Sequence, residues 1–125
     1  MNNIKQLGIW MDHSNAYLME FTNDIIVHRI VSELTNHDTE FNFYKGEKLI
    51  HKKEQHLQLS YYRKLGDIIK KYQEVVLFGP TDAKNELLNL IKTDHLFEDI
   101  KIEVINSGKM TESQMQTFVR EYFKK

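Results

Sequence analysis

An α/β fold with a mixed five-stranded sheet is predicted by three features of the 125-residue sequence. Three short apolar runs separated by polar turns come first, a long stretch with helical periodicity follows, and two strand–helix pairs complete the chain. Polar residues between short apolar runs indicate hairpins, whereas strands that alternate with helices indicate parallel pairing. The expected order is therefore β-β-β-α-β-α-β-α, with helices on both faces of one sheet.

The first three runs, Ile4–Asp12, Asn15–Phe21 and Ile25–Leu34, are predicted to form an antiparallel meander. His-Ser separates the first two runs and Thr-Asn-Asp separates the next two, and such polar residues favour tight turns. Residues Asn36–Lys53 show no clean period, so we expect them to form a long loop.

A helix is predicted after this loop, because apolar residues recur at spacings of four, four, three and four. This stripe consists of Leu57, Tyr61, Leu65, Ile68 and Tyr72. The apolar run Glu74–Phe78 ends in Gly-Pro and suits a buried parallel strand.

The second helix is expected to be capped by Thr81, with Asp82 in its first turn. Its inner face comprises Ala83, Leu87, Leu90 and Ile91. The segment Ile100–Ile105 alternates apolar and charged residues and predicts a half-exposed strand. Thr111 and Gln114 have the spacing of a capping box, so the last helix should begin there. That helix is expected to bury Met115, Phe118, Val119 and Tyr122.

In this arrangement the first, fourth and fifth strands run parallel and the crossovers are right-handed. That is the layout of a ribonuclease-H-like domain, and residues 1–125 are expected to form a single domain.

The composition predicts a soluble globular protein, with 41% hydrophobic and 28% charged residues. The absence of cysteine excludes disulfides and thiolate metal sites. No apolar run approaches the roughly 20 residues that span a bilayer, and Met1–Gly8 does not have the apolar core of a signal peptide. We therefore expect a cytoplasmic protein with no membrane partner, no cofactor and no metal.

Charge is distributed unevenly along the chain. Residues 45–71 contain eight basic and three acidic residues, a net charge of +5, whereas the remainder has nine basic and fifteen acidic residues, a net charge of −6. A local basic segment indicates a polyanionic partner, although a solvated helix face gives the same pattern. The candidate RNA-binding residues are Lys45, Lys48, Lys52, Lys53, His56, Arg63 and Lys64.

A second candidate site lies at the carboxyl ends of the parallel strands, where ligands of such sheets tend to bind. Three predicted turns and two helix N-termini meet there, and these could hold a small anion. The candidate residues are Asp12, His13, Gly79, Thr81, Lys84 and Lys109. The alternative is that the glycines and threonines serve only turns and caps. The Gly-x-x-x-x-Gly-Lys-Ser/Thr spacing of a P-loop is missing.

Metal-dependent hydrolysis is poorly supported, because two-metal sites need several carboxylates and only Asp12 and Asp82 lie near this edge. His51 and His56 are five residues apart, whereas helical zinc sites use histidines four residues apart.

Four motifs carry a resemblance to a known family over nearly the whole chain. They are GIWMDHSNAYLM, HLQLSYYRKLGDII, VVLFGPTDAKNEL and GKMTESQMQTFVREYF. The sequence resembles a family of small bacterial proteins that is similar to the middle domain of class-1 peptide-chain release factors and of the ribosome-rescue factor Pelota. The resemblance implies the translational-machinery-component fold.

The resemblance implies less about activity. Release factors hydrolyse peptidyl-tRNA with a Gly-Gly-Gln loop between the third strand and the long helix, whereas Pelota lacks this loop. Here the interval contains a single glycine, Gly46, and neither Gln55 nor Gln58 has a glycine beside it. The expected function is therefore a non-catalytic module that binds RNA, with tRNA or the ribosome as partner. The alternatives are a small-anion or nucleotide-binding protein, including a phosphoester hydrolase, and a homodimer formed through an edge strand of the meander.

Overall fold

The computed structural model describes residues 4–32 and 47–124, and in the first helix it describes side chains from residue 55 onward. The strands are β1 (Gln6–Met11), β2 (Asn15–Phe21), β3 (Ile25–Val31), β4 (Glu74–Gly79) and β5 (Lys101–Asn106). The helices are α1 (Glu47–Ile69), α2 (Ala83–Ile91), a short 3₁₀ helix (His95–Phe97) and α3 (Glu112–Phe123). The predicted element order is confirmed.

The five strands form one mixed sheet in the order β3-β2-β1-β4-β5. β1 pairs antiparallel with β2, and β2 pairs antiparallel with β3, as expected for the meander. β4 lies between β1 and β5 and is parallel to both, with Ile9 opposite Leu77 and Leu77 opposite Val104. The predicted α/β fold class is therefore confirmed.

Helices α1 and α2 cover one face of this sheet, which we call the α1/α2 side. Tyr61 and Leu65, which belong to the predicted helical stripe, are buried there, and Ile68 and Tyr72 are partly buried. Tyr62 also joins this core, although the stripe did not include it. The buried strand residues on this side are Leu7, Ile9, Met11, Ala16, Leu18, Val75 and Leu77.

Helix α3 covers the opposite face, which we call the α3 side. Its buried residues, Met115 and Val119, pack with Trp10, Val76 and Phe78. Val119 lies so close to β1 that a Cβ atom on Gly8 would stand 2.3 Å from Val119 Cγ2. The Phe118 ring stacks on Phe78 with 4.2 Å between centroids. The predicted inner face of α3 is thus confirmed, with Phe118 and Tyr122 partly buried.

Several element boundaries differ from the sequence predictions. The predicted loop Asn36–Lys53 is wrong at its C-terminal end, because α1 already begins at Glu47. The part of that loop before residue 47 lies outside the described residues. β3 ends at Val31, three residues before the predicted end at Leu34. The N-cap position of α2 is Asp82 rather than Thr81, although Thr81 Oγ1 accepts a hydrogen bond from Ala83 N at 3.2 Å.

The capping box of α3 is formed as predicted. Thr111 Oγ1 accepts a hydrogen bond from Gln114 N at 3.2 Å, and Thr111 N donates to Gln114 Oε1 at 2.9 Å. The cap fixes where the chain turns from β5 into α3, and this turn belongs to the candidate site.

Candidate functional site

The turns that follow β1, β4 and β5 meet at one edge of the sheet, as the sequence predicted. Because the three strands are parallel neighbours, they end on the same side. Ser107 N donates a hydrogen bond to Gly79 O at 3.1 Å, and Trp10 Nε1 donates to Gly108 O at 3.4 Å. We call residues 11–15, 79–82 and 106–110 the carboxyl rim.

Gly79 is explained by the packing of backbone at this rim. Its φ is +146°, a conformation that residues with a side chain rarely adopt. A Cβ atom at this position would stand 2.1 Å from Met11 O. The close approach of β1 and β4 therefore requires a glycine here, whether or not a ligand binds.

The Asp12 carboxylate stabilises the turn between β1 and β2. Its Oδ1 atom accepts hydrogen bonds from Ser14 N at 2.8 Å and from Asn15 N at 2.7 Å. The backbone oxygen of Asp12 accepts a third hydrogen bond, from Tyr61 Oη at 3.0 Å. Asp12 thus connects the rim to α1, and one of its two carboxylate oxygens is already occupied.

His13 lies on the α1/α2 side in a hydrogen-bonded cluster that the sequence did not predict. Its Nε2 atom is 3.3 Å from Glu86 Oε2, and Tyr62 Oη donates to Glu86 Oε1 at 2.6 Å. Gln58 Nε2 donates to the backbone oxygen of His13 at 3.2 Å. The cluster connects the β1–β2 turn to both helices of this side.

These hydrogen bonds shift the protonation equilibria within the cluster. The hydrogen bond from Tyr62 is the main reason that the pKa of Glu86 is lowered, and His13 lowers it further, while burial acts in the opposite direction. Burial raises the pKa of Tyr61 and of Tyr62 well above that of a free tyrosine. Both hydroxyls therefore remain protonated donors at neutral pH.

Thr81 and Lys84 are engaged within the protein. Lys84 is 1% exposed, and its Nζ atom donates to Thr81 O at 2.5 Å. The Thr81 hydroxyl accepts from Ala83 N. In this arrangement the Lys84 ammonium group faces the backbone of Thr81, just before α2, and not the solvent.

Lys109 lies on the α3 side, in a shallow cleft of about 250 Å³ that also contains Asp12. Within the described residues it makes no hydrogen bond or ion pair. Arg29 lines the same cleft, where its guanidinium lies 5.5 Å from the centroid of the Tyr17 ring and donates to Asn15 Oδ1 at 2.8 Å. Arg29 and Tyr17 were not among the predicted site residues.

Five of the six predicted anion-binding residues lie on the carboxyl rim, whereas Lys84 lies in the first turn of α2, and the six do not share one cavity. Asp12 and Lys109 line the cleft on the α3 side, whereas His13 is turned toward Glu86 on the other side of the sheet. The exposed cations of the rim cleft are Arg29 and Lys109. Anion binding at the rim stays a prediction.

The basic segment, residues 45–71, includes helix α1. His56, Arg63 and Lys64 are exposed on its described part. Lys48, Lys52 and Lys53 belong to its first turns, where the structure gives only the backbone, and Lys45 lies outside the described residues. Lys70 is 3.6 Å from Asp67 in an exposed ion pair.

Among the described side chains, those of residues 4–32 and 55–124, no group of three or more histidine and acidic residues is placed to hold a metal ion. None of the helices described is long and apolar enough to cross a membrane.

The architecture defines the class as an α/β domain with an antiparallel meander and two parallel strand–helix units. It is similar to Pelota from Archaeoglobus fulgidus, with a TM-score of 0.62 over 96% of this chain and 8% sequence identity. It is also similar to Pelota from Thermoplasma acidophilum, with a TM-score of 0.55 over 98% of this chain and 13% identity. A third similar structure is the archaeal translation termination factor aRF1, with a TM-score of 0.55 over 96% of this chain and 12% identity.

The resemblance to Pelota and release factors is therefore confirmed at the level of the fold. This chain spans 32% of each Pelota chain and 40% of the aRF1 chain. The sequence matches no protein-family profile and no curated protein.

Proposed function

We propose that this chain is a non-catalytic RNA-binding module of the translation machinery, with tRNA or the ribosome as its partner. The observation that carries the proposal is a segment of net charge +5 (residues 45–71), which includes most of α1, on a scaffold similar to Pelota and a translation termination factor. A basic surface on a protein of net charge −1 favours a polyanion as partner. A single domain and a cytoplasmic location are part of this proposal.

Helix geometry places two pairs of basic residues on the same face of α1. Lys52 and Lys53 precede Arg63 and Lys64 by eleven positions each (63 − 52 and 64 − 53). Eleven residues make about three turns at 3.6 residues per turn, so the two pairs occupy the same face of α1. Arg63 and Lys64 are exposed there, and Lys71 is exposed beyond the helix end. This face extends over several turns and could follow a phosphate backbone.

The placement of the glutamines supports a function without peptidyl-tRNA hydrolysis. The side-chain amide of Gln58 donates a hydrogen bond to the backbone oxygen of His13. Gln55 lies within the body of α1 rather than in a glycine-rich turn. Both positions fit a structural helix better than a catalytic loop.

The decisive experiment is fluorescence anisotropy with labelled tRNA at several salt concentrations. We expect log K to fall linearly with log salt, because each neutralised phosphate releases counterions. Arg63→Glu with Lys64→Glu should weaken binding about tenfold or more, by the loss of phosphate contacts. The matched control, Lys92→Glu with Lys124→Glu, reverses two exposed lysines outside this helix and should leave affinity within about twofold.

Two results would contradict the proposal: affinity that does not change with salt, and equal weakening by both double variants. If Lys109→Gln lowered the affinity while the α1 variant did not, the rim cleft would be the binding site instead. Light scattering on the same samples gives the molar mass and so tests the homodimer that the sequence suggested. In the described sheet, β3 is an edge strand with one unpaired side that could form such a dimer.

A further inference from the structure

Among the described residues, one helix covers the α3 side of the five-stranded sheet, and Lys101 and Glu103 of β5 are exposed on that face. Helix α3 packs chiefly on β1 and β2, and its Phe118 ring stacks on Phe78 of β4. A helix about 10 Å wide spans only about two strands that lie roughly 4.8 Å apart. Ile102 and Val104 point to the α1/α2 core, whereas Lys101, Glu103 and Ile105 line an open groove beside α3.

This groove has a volume of about 600 Å³ and carries a negative charge. Its charged side chains are Glu74, Glu103, Glu121 and Lys101, which gives −2 (one positive and three negative charges). The rings of Phe118 and Tyr122 form its wall on α3, with 6.3 Å between their centroids. Carboxylates next to aromatic rings favour a cationic side chain with an aliphatic stem.

Two of the carboxylates are held in place by neighbouring side chains. Tyr122 Oη donates to Glu103 Oε1, and Gln6 Nε2 donates to Glu74 Oε1 at 2.6 Å. Burial, together with the hydrogen bond and charge of Glu103 and the charge of Glu74, raises the pKa of Tyr122 to about 12. Glu121 is exposed and makes no hydrogen bond or ion pair within the described residues. The local potential is therefore negative and only partly compensated by Lys101.

The free edge of β5 borders the same groove. β5 is the last strand of the described sheet and pairs only with β4. Backbone N–H and C=O groups along its other side can pair with an added strand. A peptide that extends along this edge would direct alternate side chains toward Glu103 and Tyr122, because strand side chains alternate between faces.

We propose that this groove and the edge of β5 bind an extended protein segment rich in lysine or arginine. Charge complementarity selects this occupant, since a surface of net −2 repels nucleic acid and attracts cations. The inference is independent of RNA binding, because the groove lies on the α3 side whereas the basic segment lies on α1. The protein would then bind a polyanion and a basic peptide on two different surfaces.

The test uses the full chain and a labelled hexapeptide of alternating lysine and valine at low salt. We expect saturable binding that weakens with salt, and no binding of the matched glutamate–valine peptide. Glu103→Gln with Glu121→Gln should weaken binding about tenfold, and glutamine at position 103 can still accept the Tyr122 hydrogen bond. Glu98→Gln with Asp99→Asn, which removes two exposed acids outside the groove, is the control and should bind as wild type does.

Lys101→Gln should strengthen binding about threefold, because it removes the cation that repels the peptide. A gain of affinity cannot result from misfolding, so this variant keeps the test decisive if the double variant is unstable. Methylation of alternate peptide nitrogens should weaken binding about tenfold if the peptide pairs with β5. The proposal is overturned if the lysine peptide does not bind, if the control pair weakens binding equally, or if Lys101→Gln or nitrogen methylation has no effect.

Discussion

The two sides of the sheet differ in how completely they are covered. Within the described residues, two helices pack on the α1/α2 side, and fifteen buried residues form one core there. On the α3 side of the same described part, a single helix contributes to a core of six buried residues, and Lys101 and Glu103 of β5 line an open groove. In the described residues, the α3 side of the sheet is therefore less completely covered than the α1/α2 side.

Polar groups show the same difference. On the α1/α2 side, His13, Glu86, Tyr62 and Lys84 bond to one another or to the backbone of this chain. On the α3 side, Lys109 and Glu121 make no hydrogen bond or ion pair within the described residues. Polar side chains that are satisfied internally are poor ligand groups, so we expect binding on the α3 side, and the net charge of residues 45–71 is the separate reason to expect binding on the outer face of α1.

The largest effect is expected at Gly79, where β4 lies close to the backbone of β1 at the carboxyl rim. Gly79→Ala forces a side chain into a φ of +146° and places its Cβ 2.1 Å from Met11 O. Backbone cannot move away as a flexible side chain can, so we expect a loss of about 3 kcal/mol or more in the free energy of unfolding. Urea denaturation followed by circular dichroism measures it.

The matched control for this substitution is Gly108→Ala at the same rim. A Cβ on Gly108 would have no heavy atom within 4 Å, so we expect a change below about 0.5 kcal/mol. If both variants were equally stable, the close approach of β1 and β4 at Gly79 would be wrong.

The comparison of the two sides can be measured directly with adjacent valines of β4. Val75 is 2% exposed in the α1/α2 core, and Val76 is 0% exposed in the α3 core. Each valine-to-alanine change removes the same two methyl groups, so a difference reports how well each side closes around the cavity. We expect Val75→Ala to cost about 2 kcal/mol and Val76→Ala about 1 kcal/mol, since a single helix can shift more easily than two.

Urea denaturation of the two variants gives both values under the same conditions. An equal or larger cost for Val76→Ala would show that α3 is packed as rigidly as α1 and α2. The open groove beside β5 would then be fixed in shape before any partner binds.

Much of this fold could be predicted from the sequence because the patterns are local. Alternation and polar turns predicted β2 at its observed limits, Asn15–Phe21, and the capping-box spacing predicted the start of α3. The start of α1 was missed because the turns from Glu47 to Lys53 are rich in charge and carry no apolar stripe. A search for amphipathic periodicity therefore does not detect the helix in these turns.

The candidate site was less predictable, because its chemistry depends on contacts that are distant in sequence. The parallel strand order predicted that Asp12, Gly79 and Gly108 share a rim, but not that Lys84 is buried against Thr81. A lysine in the first turn of a helix is normally exposed. The contact between Tyr17 and Arg29 could have been predicted, because the predicted hairpin between β2 and β3 places these residues directly opposite each other.

The smallest effect is expected at Glu86, whose carboxylate contacts His13 of the carboxyl rim on the α1/α2 side. The pKa of Glu86 is lowered in the folded protein from an ordinary value of 4.5, chiefly by the hydrogen bond from Tyr62. A carboxylate with a depressed folded pKa stabilises the fold above its unfolded pKa, and this contribution is lost as the pH falls through the folded value. Because the Glu86 side chain is 49% exposed, solvent screening limits the contribution to about 1 kcal/mol or less.

Glu86→Gln should therefore lower the free energy of unfolding at pH 7. The difference in this free energy from wild type should narrow in urea titrations at pH 4 and pH 3, which lie near and below the ordinary pKa. Glu98→Gln, at an exposed position with no side-chain hydrogen bond within the described residues, is the control, and its difference from wild type should stay near zero. A gap for Glu86→Gln that widens toward low pH would mean that the contact with Tyr62 and His13 does not favour the ionised carboxylate.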